Sequence, residues 1–128
     1  MEFDELSSKV LRYALEVHRE LGPGLLESAY ENCLAYELNK AKIPFKYQAL
    51  LPVRYKEISL DCGYRMDLLV DDRLIVELKS VDQLLRIHEA QILTYMKLAG
   101  IKVGLLINFN VEVLKKGSSD LYFDLMIS

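Results

Sequence analysis

The segment that most constrains this chain covers residues 64 to 80: Tyr-Arg-Met-Asp-Leu-Leu-Val-Asp-Asp-Arg-Leu-Ile-Val-Glu-Leu-Lys-Ser. Two apolar runs flank a polar turn at Asp71, Asp72 and Arg73, the pattern of a β-hairpin. Asp67, Glu77 and Lys79 interrupt those runs. An ion buried in a strand without a partner costs several kcal/mol, so each of the three demands a counter-charge, a metal or water. Glu77 and Lys79 are two residues apart, which puts them on one face of a strand and Leu78 on the other. Loop length decides where Asp67 falls. A two-residue turn sets Asp67 opposite Val76, with Glu77 pointing the other way. A three-residue loop pairs Val70 with Leu74 and sets Asp67 opposite Glu77. The three-residue loop, or an equivalent bulge, is the register expected.

The rest of the chain supplies layers for that hairpin. Residues 4 to 21 carry Leu6, Val10, Tyr13, Ala14, Val17 and Leu21 at helical spacing, with Asp4 as N-cap and Gly22-Pro23-Gly24 as the stop. His18 falls off that stripe and reads as a surface histidine. A second helix is expected over 25 to 42, burying Tyr30, Cys33, Leu34 and Leu38. Glu27 stands one turn before Tyr30 on its inward side. The competing reading of Glu27 is a first-turn acid that complements the helix dipole. Residues 45 to 55 read as extended, with Pro52 marking an edge or bulge. A turn at Lys56-Glu57 leads to a strand at 58 to 62. A third helix is expected over 82 to 99, capped by Asp82 and ended by Gly100. One of its stripes, Leu84, His88, Gln91, Tyr95 and Leu98, mixes apolar with polar groups, and half-buried polar groups need hydrogen-bond partners. The apolar run 103 to 109 fits a strand covered on both faces. A loop over 115 to 119 precedes a peripheral strand at 121 to 127. The order α, α, β, β, β, α, β, β predicts a single α/β domain over 1–128 with a mixed sheet.

Charge and cysteine content narrow the classes. The net charge of −3 excludes a global basic footprint, so contact with nucleic acid must be local. Cys33 and Cys62 make no metal motif and read as small buried thiols. The acidic start Met-Glu-Phe-Asp-Glu carries no apolar signal core, and no apolar run is long enough to span a membrane. A soluble, cytoplasmic protein is expected. No zinc finger, helix-turn-helix or base-stacking platform is visible in the sequence.

Two facing carboxylates are a hard-oxygen site for Mg²⁺ or Mn²⁺, which keep several waters, and the Leu78 carbonyl is a further candidate ligand. Lys79 stands beside them to orient or deprotonate a water and to offset negative charge. This parts list suits phosphodiester hydrolysis. The competing reading is an ion-pair network on the surface of an edge hairpin.

Asp67, nine intervening residues and Glu77-Leu78-Lys79 resemble the core of the PD-(D/E)xK nuclease superfamily. Gln91-Ile-Leu-Thr-Tyr95 is similar to the Gln-x-x-x-Tyr motif of its RecB-like branch, and Gly24-Leu-Leu-Glu27-Ser-Ala-Tyr30 matches the signature of the GxxExxY family. The resemblance runs from roughly Val10 to Asn110. It departs at Met66, where the superfamily places a proline. It implies a restriction-endonuclease-like αβββαβ core, a mixed sheet flanked by helices. It further implies Asp67 and Glu77 as metal ligands, Lys79 as the catalytic lysine, and Glu27 as an additional acid at the metal. Gln91 and Tyr95 would face the site from the third helix, touching DNA phosphate or supporting Lys79, and His88, one turn before Gln91, would reach the same cleft to bind substrate. Arg65, opposite Lys79 in the three-residue-loop register, would contact a phosphate or neutralise the carboxylates.

A metal-dependent nuclease acting on DNA follows as the expected function, working as a homodimer or with a recruiting protein. The alternative is an inactive nuclease-fold module that binds nucleic acid or protein. Fold alone does not separate the two.

Overall fold

The structure is a computed structural model that describes residues 4–114 and 123–124. The first helix, α1 (Glu5–Leu21), starts where Asp4 accepts the Ser7 amide proton at 2.7 Å. It stops at Gly22, whose amide donates to the His18 carbonyl. Its buried stripe is Ser7, Val10, Leu11, Ala14, Val17 and His18. After Gly24, which turns at φ +98°, α2 (Glu27–Lys40) buries Tyr30, Glu31, Leu34 and Leu38. Tyr30 fixes the entry to this helix. Its hydroxyl donates to the Gly22 carbonyl at 2.6 Å and accepts the Leu25 amide proton at 3.1 Å, and its ring stacks on Phe109 at 4.5 Å. A buried tyrosine with both hydroxyl functions satisfied locks a loop far better than an apolar side chain would.

The strands are β1 (Phe45–Leu50), β2 (Val53–Tyr55), β3 (Ile58–Leu60), β4 (Arg65–Val70), β5 (Leu74–Lys79), β6 (Val103–Asn108) and β7 (Phe123–Asp124), with α3 (Arg86–Ala99) between β5 and β6. They form a five-stranded sheet in the order β1-β4-β5-β6-β7 and a separate pair β2-β3. The β5–β6 pairing is parallel and the others are antiparallel, so the main sheet is mixed. On one face Leu68, Val70, Leu74, Val76, Leu78, Leu105 and Ile107 pack on α1 and α2. On the other, Ile75 and Leu106 pack on Ile92, Tyr95 and Met96 of α3. No helix among the described residues is long and apolar enough to cross a membrane.

Several expectations need correction. The third helix begins at Arg86, not at 82. Residues ahead of it are held out of the helix by Asn108, whose side chain exchanges hydrogen bonds with both the amide and the carbonyl of Val81. The extended segment 45 to 55 breaks at Pro52, and the strand expected over 58 to 62 is confined to Ile58–Leu60 in the small sheet. His18 is buried, with Nε2 2.7 Å from the Val111 carbonyl, because the chain beyond β6 folds back over α1, a contact invisible to helical periodicity. Cys62 is exposed and Cys33 half-buried. The loop expected at 115 to 119 lies outside the described residues, as does the strand expected at 121 to 127 apart from Phe123–Asp124, which pairs with β6.

Candidate active site

The site is built at the open end of the β4–β5 hairpin. Asp71 and Asp72 adopt left-handed φ values of 52° and 51°, and the Arg73 amide closes the turn on the Val70 carbonyl at 3.0 Å. Val70 then pairs with Leu74, Leu69 with Ile75 and Leu68 with Val76, so the loop has three residues. Beyond Leu68–Val76 side chains replace the ladder. The Leu78 amide donates to Asp67 Oδ2 at 2.8 Å, and the Asp67 amide faces Glu77 Oε1 at 3.4 Å. The strands part here, and two carboxylates occupy the gap.

Glu77 is only 7 % exposed. Burial, then the neighbouring Asp67 charge and a hydrogen bond between the two carboxyl groups, push its pKa up to about 10, against smaller pulls from the Asp67 amide and then from Lys79. Two carboxylates sharing one site resist losing both protons. Lys79 sits half-buried at the end of β5 and enters no ion pair among the described residues. Its carbonyl accepts the Phe109 amide proton at 2.9 Å, which ties it to β6.

The acids of α2 approach the same place. Glu27 Oε2 accepts the Ser80 amide proton at 3.1 Å, so Glu27 is anchored one residue beyond Lys79. Glu31 is 6 % exposed, and its pKa is raised to about 7, first by burial and then by the charge of Asp67. A hydrogen bond from Gln48 opposes the rise, and Glu27 adds to it. Gln48 Nε2 donates to Glu31 Oε1 and, at 3.3 Å, to Asp67 Oδ1. Gln48 holds φ +51° inside β1, between the pairs Tyr47–Leu68 and Ala49–Met66. A left-handed φ on a non-glycine residue within a strand is strained and marks positions held for a purpose.

From α3, Tyr95 stands within the field of the acids. Burial is the main cause of its raised hydroxyl pKa, and the charges of Glu77 and Asp67 contribute. Gln91 donates to the Tyr95 hydroxyl at 3.3 Å, so it orients Tyr95 and forms no bond with Lys79. His88 accepts the Leu85 amide proton at Nδ1 over 3.0 Å and thereby caps α3. Arg65 does not pair with Lys79. The strands have already separated, Arg65 pairs with Leu50 of β1, and its guanidinium donates to the Gln48 carbonyl at 3.5 Å.

The sequence profile of the PD-(D/E)XK nuclease superfamily matches residues 4–120. The chain belongs to that superfamily. It matches no curated protein and no solved structure. The mixed sheet flanked by helices agrees with the superfamily's restriction-endonuclease-like fold. Two residues beside the acid pair, Glu31 and Gln48, escaped the sequence reading. Glu31 lies four residues after Glu27, a spacing that shares a helix face and was a usable signal. Gln48 left no signal, since nothing in β1 announces a left-handed residue.

The acid pair fits a hard dication of the kind PD-(D/E)XK nucleases use. Among the described residues no three His, Cys, Asp or Glu side chains converge into a ready-made cage. Mg²⁺ does not require one, since it is commonly bound through one or two carboxylates and several waters. Burial and the Asp67 charge both oppose ionisation of Glu77, so a cation held between the two acids would lower its proton affinity.

Proposed function

We propose that the chain is a Mg²⁺- or Mn²⁺-dependent nuclease that hydrolyses phosphodiester bonds of DNA. The observation that carries this reading is the Asp67–Glu77 pair, two carboxylates forced together at the point where the hairpin opens, with Lys79 beside them. Asp67, Glu77 and the Leu78 carbonyl are the groups proposed to hold the metal, with Glu27 acting through Ser80 or through water. A bound dication supplies a lowered water pKa and a polarised phosphoryl oxygen. Lys79 orients the attacking water and offsets charge on the phosphate. Tyr95, set by Gln91, closes the cleft from α3. The segments Gly24 to Tyr30 and Gln91 to Tyr95 support placing the chain in the GxxExxY group of the RecB-like branch.

The test is a titration of Mg²⁺ and of Mn²⁺ into the wild type and Asp67→Ala, followed by thermal unfolding and by cleavage of DNA and RNA substrates. The wild type gains stability by mass action and cuts DNA; the variant does neither. A wild type that neither shifts with metal nor cuts any substrate overturns the enzyme reading and favours an inactive binding module.

A further inference from the structure

The Asp67 carboxylate is held from both neighbouring strands. β1 pairs with β4 through Tyr47–Leu68 and Ala49–Met66, which leaves Gln48 directly opposite Asp67. Gln48 Nε2 donates to Asp67 Oδ1 at 3.3 Å, and from β5 the Leu78 amide donates to Asp67 Oδ2 at 2.8 Å. Each oxygen therefore has its own donor. A carboxylate fixed at both oxygens cannot turn about its terminal bond, and its remaining lone pairs keep set directions.

The second hydrogen of the Gln48 amide goes to Glu31 Oε1. Glu31 is buried and enters no ion pair among the described residues. A buried carboxylate without a counter-charge is expensive, and the Gln48 amide is the side-chain donor that offsets it. Glu31 also decides which way round that amide sits. Glu31 and Asp67 both accept, so the NH2 group must face them, and the reverse orientation would set Gln48 Oε1 against two acceptors. The backbone serves the same placement. Gln48 holds φ +51° within β1, and such a conformation persists on a non-glycine residue only where its surroundings enforce it.

We propose that Glu31 and Gln48 are positioning residues for Asp67: Glu31 sets the Gln48 amide, and Gln48 with the Leu78 amide fixes the Asp67 carboxylate in the orientation that receives the cation. This rests on the metal-dependent reading above and deepens it, extending the site from the hairpin to β1 and α2. Neither residue has to touch the metal or the polymer to matter, since groups that orient a metal ligand typically control affinity or activity by roughly 10- to 100-fold.

The test follows this clamp without and with metal, at pH 8. Without metal, hydrogen exchange read by NMR reports on the Leu78 amide, which loses its acceptor when the Asp67 carboxylate swings free. Gln48→Gly removes the donor and tolerates the left-handed φ, so the backbone stays in place. Its Leu78 amide should exchange roughly tenfold faster than in the wild type, while the amides of β6 keep their rates. With metal, calorimetric titration of Mg²⁺ and of Mn²⁺ should show affinity weakened roughly 10- to 100-fold in Gln48→Gly. Gln48→Ala should lose as much although it is the less stable of the two, whereas under a merely structural role affinity would track stability. Glu31→Gln can present either end of its amide and no longer dictates the orientation of Gln48, so it should speed Leu78 exchange as well. It should weaken metal binding roughly tenfold in the wild type and less than about threefold in Gln48→Gly, because it acts through Gln48. An equal loss in both backgrounds would make Glu31 an independent contributor and overturn the relay. Unchanged Leu78 exchange, or unchanged metal affinity, in Gln48→Gly overturns the proposal even if the protein cuts DNA. A wild type that takes up no dication, with Leu78 protection still lost in both variants, would uphold the clamp and sink the metal-dependent reading alone.

Discussion

The carboxylate of Glu77 lies 3.4 Å from the backbone amide of Asp67, while the carboxylate of Asp67 accepts the Leu78 amide proton across the same gap. Each acid thus reaches across the gap to a backbone amide of the other strand. In the absence of a cation this arrangement costs stability, since burial and mutual repulsion both oppose ionisation of Glu77. Glu77→Gln keeps the shape and removes the charge. It should raise the stability of the metal-free protein at pH 8 by about 1 kcal/mol, a few degrees in Tm. The same variant should abolish the Mg²⁺-dependent rise in Tm, read by thermal unfolding with and without metal.

Stability of the metal-free protein should fall as pH rises from 4.5. Glu31 and Glu77 have folded-state pKa values raised to about 7 and about 10, from 4.5. Between 4.5 and about 7 the folded state holds two protons that the unfolded chain has lost, and between about 7 and about 10 it holds one. The unfolded state therefore binds fewer protons throughout, and unfolding becomes easier with pH. The loss should be steeper below pH 7 than above it. Chemical denaturation from pH 5 to 9 measures this, and Glu77→Gln should remove the part above pH 7.

Gln48 should show a reversed glycine effect. In an ordinary strand glycine is less stable than alanine. At φ +51° alanine bears a left-handed cost of roughly 1–2 kcal/mol that glycine escapes. Gln48→Gly should therefore be more stable than Gln48→Ala by about 1 kcal/mol. Both variants leave Glu31 without its amide donor and should weaken the Mg²⁺ response relative to wild type. Urea unfolding of the pair, with calorimetric metal titration, decides the point.

The hairpin register was legible because two apolar runs flanking a polar turn leave few choices, and the three ions selected among them. The layered fold was legible for the same reason, through the stripes on α1 and α2 and the apolar run that became β6. What sequence patterning missed depends on contacts between distant segments. Asn108 delays the start of α3, Val111 draws His18 inward, and Gln48 bridges β1 to α2 and β4. Such bonds follow from where chain segments meet, and local periodicity carries no record of that.

Lys79 should separate binding from turnover. The residue is half-buried, and its charge lowers the proton affinity of Glu77 less than burial and Asp67 raise it. Lys79→Met preserves the stem and removes the charge. The Mg²⁺ shift in Tm should survive in that variant, while DNA cleavage falls at least about 100-fold, the scale of one acid–base or charge-stabilising group. A lost metal response would reassign Lys79 to holding the acids together.

Gly104 links the sheet to the site through packing. It lies in β6, paired with Ile75 of β5, under α3. A Cβ added there would stand 2.8 Å from Met96 Sδ, closer than real side chains approach, and 3.0 Å from Ile92 Cδ1, a tight contact that makes its neighbour give by a few tenths of an ångström. Met96 is flexible and can yield, but Ile92 is β-branched and buried, so part of the strain must move α3 outward. Overpacking of this kind costs about 1–3 kcal/mol. Tyr95 rides on α3 between Ile92 and Met96, so a displaced helix carries its hydroxyl away from Glu77. Gly104→Ala should thus lower Tm by several degrees and reduce cleavage more than the stability loss explains at a temperature where the protein is fully folded. Adding Ile92→Val, which removes one methyl from the clash, should restore both. Recovery of Tm without recovery of cleavage would show that Tyr95 does not depend on the depth at which α3 is seated.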